Sequence, residues 1–348
     1  MKTTAKPDLQ NGVTVIVCTH NRCAVLAGAL ESLAASEMPS DVRWEILVVD
    51  NNSTDKTRQV IEDFARRYPA RFRYLFEPKG GKSHALNSGV ANACGEILAF
   101  ADDDAAVDPK WLHHITQPLL QGDWAGAGGR TLPAEAFTPP PWLPDNLQDC
   151  GGPICAYFDL GDQACEMHQA PYGANAAFRK SMFEKYGGYR TDLGPGPNSG
   201  TPRLMREFLH VNEDTEFGRR LLAAGERLRY EPSAVVYHPV MKERITKEHF
   251  VSWWFDYGRA MIREIGVWPA VWGIPRDYFR LLRSASIWSV TVLQWISATN
   301  PQKRFTHRCG MAFVAGRMAE LYRRSVSRQS TMPRALAAES KPASDTAR

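Results

Sequence analysis

The sequence predicts an α/β fold built on a mainly parallel sheet flanked by helices. Through the first hundred residues, short β-branched runs alternate with segments of helical period, and the polar clusters fall where those runs end. The fourth run ends in three consecutive aspartates, Asp102, Asp103 and Asp104. That charge density needs an offset and marks the sheet edge as a site.

The elements follow in order. Residues Val13 to Cys18 read as a buried strand, Arg22 to Ala35 as a helix, Trp44 to Asp50 as a second strand and Thr54 to Tyr68 as a second helix. Arg71 to Phe76, Gly81 to Ala93 and Glu96 to Ala101 continue as strand, helix and strand. Parallel strands joined by right-handed helical crossovers are the arrangement such an alternation allows. Asp108 is placed to cap the next helix, with Pro109 in its first turn. Leu132 to Asp149, rich in proline, reads as a loop over the sheet edge, with Trp142 a candidate lid or acceptor platform. A helix ending at Gly187-Gly188 precedes a Gly and Pro rich stretch, Leu193 to Pro202, able to close over a ligand. Asn212-Glu213-Asp214 then opens a helix from Thr215 to Ala224, and Arg227 to His238 forms a last strand.

Length and composition fit one large domain, or a domain plus an extension: 348 residues, 44% hydrophobic and 23% charged. Seven cysteines without a framework spacing, and a short polar start, point to a reducing cytosol. The apolar stretch Ile287 to Ala298 contains Ser, Thr and Gln and is too short to span a bilayer. From Lys242 to Arg328 there are 15 Lys and Arg against 6 Asp and Glu. Trp253, Trp254, Trp268, Trp272, Trp288 and Trp295 share this segment. Such a mixture suits an anionic membrane surface, and it equally suits a helical subdomain with aromatic packing. The expected divisions are an extended or disordered 1–12, a main domain 13–240 with halves 13–130 and 131–240, a basic helical extension 241–328 and a disordered tail 329–348.

In parallel sheets ligands bind beyond the carboxyl ends of the strands. Three polar clusters end strands there: Cys18 to Arg22, Asp50 to Asp55, and Asp102 to Asp104. Any one alone is equally a capping turn. Together they make a site, with the aspartates expected to hold a divalent cation and hence a phosphorylated substrate. Asp50 and Asn51 can accept hydrogen bonds from a nucleobase imide or a ribose. No G-x-G-x-x-G follows the first strand, which argues against a dinucleotide. Lys82, in Lys79-Gly-Gly-Lys-Ser83, can reach a pyrophosphate, although the segment lacks Walker A spacing. Acidic residues such as Glu213 and Asp214 are ordinary helix-dipole partners in a first turn. His238 at a strand end can join a metal held by aspartates, provided the fold brings it to Asp104. Cys150, Cys155, Cys165 and His168 match no closed zinc spacing, and ordinary thiols are expected.

The motifs Val13-Thr-Val-Ile-Val-Cys-Thr-His-Asn-Arg22, Ile46-Leu-Val-Val-Asp-Asn-Asn-Ser-Thr-Asp55, Ala85-Leu-Asn-Ser-Gly89, Gly95 to Asp104, Gly173-Ala-Asn175, Glu213-Asp214 and Tyr237-His238 occur in one order. In that combination, over residues 13 to 240, the chain resembles a family 2 nucleotide-sugar glycosyltransferase of the GT-A fold. The resemblance implies an inverting enzyme that takes a nucleoside-diphosphate sugar donor and Mn²⁺ or Mg²⁺. Residues 13–130 would bind the donor and 131–240 the acceptor. It implies a donor pocket from Thr19, Asn21, Arg22, Asp50, Asn51, Lys82, Asp102 and Asp103, and a metal site from Asp102, Asp104 and His238. Asp214 would be the catalytic base and Glu213 would hold the acceptor, a glycan or lipid-linked hydroxyl in cell-envelope polysaccharide synthesis. The expected location is cytoplasmic, with peripheral membrane contact through 241–328 and no nucleic acid partner. Cys18 and Asn51 stand where the family often has Pro and Asp, which loosens the expectation of uracil. A metal-dependent sugar nucleotidyltransferase and a non-catalytic membrane-surface scaffold are the competing readings.

Overall fold

The computed structural model describes residues 12–147, 151–193, 213–265 and 276–331. Strands β1 (Val13–Thr19), β2 (Trp44–Asp50), β3 (Phe72–Phe76) and β4 (Ile97–Asp102) alternate with helices α1 (Cys23–Ala34), α2 (Thr57–Arg67) and α3 (Lys82–Asn92). They pair in parallel in the order β3-β2-β1-β4. Every residue of β2 is buried, because helices cover both faces. The two-residue period survives within these apolar runs. Val13, Val15, Val17, Ile46 and Val48 pack with Leu26, Leu30 and Ile61 on one face, while Ile16, Leu47, Val49 and Leu98 pack with Ala85 and Leu86 on the other.

The remaining strands make the sheet mixed. After β5 (Ala106–Val107), α4 (Trp111–Gln121), β6 (Gly126–Pro133) and β7 (Cys165–Met167), strand β8 (Ala176–Arg179) inserts antiparallel between β4 and β6. Helices α5 (Lys180–Tyr186) and α6 (Glu213–Ala223) then lead to β9 (Leu228–His238), which runs parallel to β6 and antiparallel to β5 and β7. Asn175 locks this half. Its amide donates to the carbonyls of Arg130 and Ala234, both at 2.9 Å, and accepts from Trp111 Nε1 at 2.8 Å. Asp108 accepts from Lys110 N at 2.9 Å in a turn that ends before α4, so Pro109 precedes the helix instead of lying in its first turn.

The basic carboxyl-terminal segment is helical: α7 (Lys247–Ile265), α8 (Arg276–Ser297) and α9 (Pro301–Thr331). Helix α9 continues through residues 329–331, where a disordered tail was expected; the rest of that tail lies outside the described residues, as do 1–11, Cys150, Trp268, Trp272 and all but Leu193 of the Gly and Pro rich stretch. Helices α7 and α9 cross at Gly258 and Gly316. A Cβ at Gly258 would run into the Phe313 carbonyl, and one at Gly316 into the Phe255 carbonyl. Beside this crossing, buried Glu320 receives Arg259 at 3.2 Å and Arg263 at 3.1 Å. Trp142 is not a lid. Its ring packs edge-on against Phe250 (5.4 Å) and Phe305 (4.6 Å), fastening the proline-rich loop to α7 and α9.

Gly258→Ala is expected to lower the melting temperature by several degrees, since backbone at the crossing cannot yield as a side chain can. Gly28→Ala, in α1 with open space around the added methyl, is expected to stabilise by about 0.5–1 kcal/mol. Differential scanning fluorimetry of the two variants checks the opposite signs.

Candidate active site

The sheet register brings the polar strand ends together. Cys18 pairs with Val49 and with Asp102, and Thr19 with Asp50, so β1, β2 and β4 leave the sheet at one level. Two cavities open there. The first, about 590 Å³, is lined by Thr19, Arg22, Asn51, Lys82 and all three aspartates. The second, about 540 Å³, is lined by Glu213, Asp214 and a set of aromatic rings. Asp102, His238 and Arg244 border both.

His238 does reach the aspartates. Its Nε2 lies 3.5 Å from Asp102 Oδ2 and 3.3 Å from Asp104 Oδ1. Among the described residues, Asp102, Asp104 and His238 alone form a group able to hold a metal ion, their ligand atoms all within 4.8 Å of one another. The donor set fits a hard divalent cation. Each of the three side chains is also oriented from behind. Nδ1 of His238 donates to Pro239 O at 3.0 Å, which leaves Nε2 facing the aspartates. Lys82 Nζ holds Asp102 Oδ1 at 2.9 Å, and Arg22 holds Asp104 Oδ2 at 3.1 Å. One oxygen of each carboxylate is thus anchored by a cation while the other points to the shared centre. Among the described residues no such group forms around Cys155, Cys165 and His168.

The electrostatics follow from burial and neighbours. Burial favours the neutral form of Asp102, but Lys82 and His238 outweigh it and hold the carboxyl well below the usual range. Burial also opposes the charge on Lys82, yet Asp102, Glu213 and Asp214 raise it well above the usual lysine value. Burial tends to lower His238, and Asp102 and Asp104 more than offset that. Asp103 is pushed up to about 6 by burial and by its two aspartate neighbours, against Thr19 and Arg22. Glu213 rises to about 7 through burial and the adjacent Asp214, although Lys82 stands 3.5 Å away.

Raised carboxyls bind protons in the folded state that the unfolded chain has already released. Stability is therefore lost as pH rises from about 4.5 through about 7. Glu213→Gln is expected to flatten the decline in stability between pH 5 and pH 8, by an amount on the order of 1 kcal/mol. A pH series of thermal melts for both proteins measures it.

Asp214 lies at the start of α6, where Oδ2 accepts from Gly173 N and Oδ1 from Thr215 N, both at 2.7 Å. A side chain at Gly173 would occupy the space of this carboxylate. Two residues expected in the first cavity, Asp50 and Asn21, do not line it. Both oxygens of Asp50 are engaged, by Ser53 N at 2.9 Å and Tyr74 OH at 3.1 Å, and Asp50 does not line the cavity. Asn21, with φ 52°, accepts from Thr54 N at 2.8 Å and ties the β1 and β2 loops together without lining it either. Asn51 lines the cavity, but its amide holds the 77–81 loop through Lys79 O (2.6 Å) and Gly81 N (2.8 Å). The short side chains of these loops satisfy nearby backbone first, as Asx turns do. Thr19 is buried against the cavity, its hydroxyl short of a well-formed hydrogen bond, with Asp103 close enough to feel it.

Other lining residues carried no sequence signal strong enough to select them. His20 borders the first cavity and bonds Asn51 O through Nδ1 at 2.7 Å. Arg244 sits at the shared wall, six residues beyond the His238 strand end, where a basic residue close to a metal-ligand candidate was the available clue. Trp253, Trp254 and Tyr257 line the second cavity from α7, while Phe158 and Tyr172 face it from the sheet side.

A family model described as glycosyl transferase family 2 matches residues 14–187. The chain belongs to this family. The glycosyltransferase is 28% identical over 232 residues to the succinoglycan biosynthesis protein ExoM of Rhizobium meliloti, covering 67% of this chain and 68% of that one. It is 26% identical over 256 residues to the glucosyl-dolichyl phosphate glucuronosyltransferase of Haloferax volcanii, covering 72% and 77%. In fold it resembles the mannosyltransferase PcManGT from Pyrobaculum calidifontis, solved with GDP-Man and Mn²⁺, at a TM-score of 0.51 and 19% identity over 94% of this chain and 77% of that chain. The GT-A expectation is met: a mixed sheet flanked by helices, with a helical carboxyl-terminal region.

Proposed function

We propose that this glycosyltransferase moves a sugar from a nucleoside-diphosphate sugar to a hydroxyl of a glycan or lipid-linked acceptor, with inversion at the anomeric carbon. The observation that carries the reading is the pair of cavities meeting at Asp102, His238 and Arg244, with Glu213 and Asp214 on the far side. The first cavity takes the donor. Thr19, Asn51 and Asp103 face the nucleoside, and Arg22, Lys82 and Arg244 surround the diphosphate. Asp50 and Asn21 support this pocket from behind its wall.

Asp102, Asp104 and His238 would hold Mn²⁺ or Mg²⁺, which supplies Lewis-acid neutralisation of the departing diphosphate. Asp214 stands in the acceptor cavity with its carboxylate fixed by two backbone N–H groups, and accepts the proton of the attacking hydroxyl. The acceptor oxygen bonds to the anomeric carbon as the bond to the diphosphate oxygen breaks, and the electron pair leaves with the nucleoside diphosphate. Glu213, raised by burial and Asp214, can donate a hydrogen bond that steers the acceptor when its carboxyl carries a proton. Residues 13–130 serve the donor, 131–240 the acceptor, and 241–328 form the extension.

The relatives that act in succinoglycan synthesis and on glucosyl-dolichyl phosphate support a role in cell-envelope polysaccharide or glycoconjugate synthesis. Among the described residues no helix is long and apolar enough to cross a membrane. Helix α8, however, exposes Leu282 (69%), Leu293 (66%) and Ile296 (60%) within the basic segment, which suits an anionic membrane surface on the cytoplasmic side. Sedimentation with anionic liposomes, lost in Leu282→Ser/Leu293→Ser, tests the contact. A panel of nucleotide sugars, read by thermal shift and nucleotide release with Mn²⁺ or Mg²⁺, tests the reaction. At least one donor should stabilise the protein and release its nucleoside diphosphate, and a panel without any such donor rejects the reading.

A further inference from the structure

The second cavity is walled by rings from two distant parts of the chain. Phe158 and Tyr172 lie on the sheet side, their centroids 4.7 Å apart. Helix α7 faces them with Trp253 stacked on Tyr257 (5.1 Å, 12°) and Trp254 edge-on to both, at 5.4 Å and 5.6 Å. Trp253, Trp254, Tyr257 and Tyr172 are half-buried, and all border open volume, which distinguishes them from rings closed inside a core. The same volume is bordered by Glu213, Asp214, Thr215 and Gln169.

Flat apolar faces ringed by hydrogen-bonding groups match one class of occupant. A pyranose presents C–H bonds on its faces and hydroxyls around its rim. An alkyl chain would set hydrocarbon against the polar rim of Gln169, Thr215 and the two carboxyl groups, and a phosphate lodged beside the Asp214 carboxylate would meet like charge. We propose that helix α7 builds a saccharide subsite, in which the terminal sugar ring of the acceptor lies against Trp253 and Trp254 with a hydroxyl directed to Asp214. The proposal rests on the glycosyl-transfer reading above and narrows its acceptor to a molecule that already carries a sugar.

The subsite is preorganised. Phe313 of α9 braces Trp254 (6.0 Å, edge-on) and Tyr257 (5.5 Å) from behind, next to the Gly258 and Gly316 crossing. Arg219, which also borders the cavity, is engaged by both oxygens of Glu264 at 2.6 Å and 3.1 Å, a fork that joins α6, which carries Asp214, to α7, which carries the rings. Rigid aromatic walls reduce the ordering cost of binding a ligand.

Saturation-transfer NMR on the full chain tests this with octyl β-D-glucoside, octyl β-D-galactoside, octyl α-D-mannoside and decyl phosphate as probes. At least one glycoside should receive saturation at its ring protons, and Trp254→Ala and Trp253→Ala should weaken its binding at least tenfold. Trp254→Leu, which keeps apolar volume without the ring plane, should show the same loss and carries the test if the alanine variants do not fold. The nucleotide-sugar thermal shift with Mn²⁺ should be unchanged in every folded variant. Binding of decyl phosphate without any glycoside, or glycoside binding indifferent to the tryptophan substitutions, overturns the proposal. Absence of any nucleotide-sugar shift in the unsubstituted protein would instead remove the transfer reading, while the glycoside result would still report on the rings.

Discussion

Replacing Asp214 with asparagine is expected to lower sugar transfer by about 10²–10⁴-fold, the range typical of a lost general base. The structure adds a second consequence. Both carboxylate oxygens accept backbone N–H groups, from Gly173 and from Thr215. An asparagine has one oxygen, so one N–H would face an NH₂ group at a cost of about 1–3 kcal/mol. A fall of a few degrees in melting temperature should therefore accompany the loss of turnover, with the donor-induced shift retained. Nucleotide release and thermal melts separate the two effects. Unchanged turnover would remove Asp214 from the base role, and an unchanged melting temperature would contradict its hydrogen bonding.

Asp104→Ala is expected to weaken donor binding in Mn²⁺ by at least about tenfold, each decade corresponding to about 1.4 kcal/mol. Asp104 stands between Arg22 at 3.1 Å and His238 at 3.3 Å, so the substitution removes a proposed ligand and also releases the guanidinium that orients it. Calorimetry in Mn²⁺ and in EDTA reads the outcome. The unsubstituted protein should bind donor more tightly with metal, and the variant should bind it about equally in both. Equal affinities in the unsubstituted protein would reject the metal site.

Strands β1, β2 and β4 were legible because their residues do one thing: Val13 to Val17 apart from Thr14, Ile46 to Val49 and Ile97 to Ala101 are apolar on both faces and stop abruptly at polar residues. Strand β8 was not, since Ala176-Ala-Phe-Arg179 is too short for a period and owes its antiparallel place to the partners on either side. The approach of His238 to Asp104 was conditional in sequence, because 134 positions of chain separate two residues that strand pairing, with β5 beside β9, brings close. Asp50 and Asn21 looked like ligand groups for the same reason that they hold loops: a short polar side chain offers the same atoms to a backbone amide as to a ribose. In sequence Trp253 and Trp254 suit a membrane surface and aromatic packing equally, since a ring lining a cavity and a ring facing lipid obey the same spacing on a helix.

The fork between Arg219 and Glu264 joins a helix that opens with Glu213 and Asp214 to a helix that carries the aromatic wall. On the roles proposed above, chemistry and recognition thereby reside on separable lengths of chain that this side-chain pair joins. Drift in α7 can change which molecule is modified while the apparatus at the sheet edge stays as it is, a division of labour that lets one catalytic frame diversify its products through the helix alone.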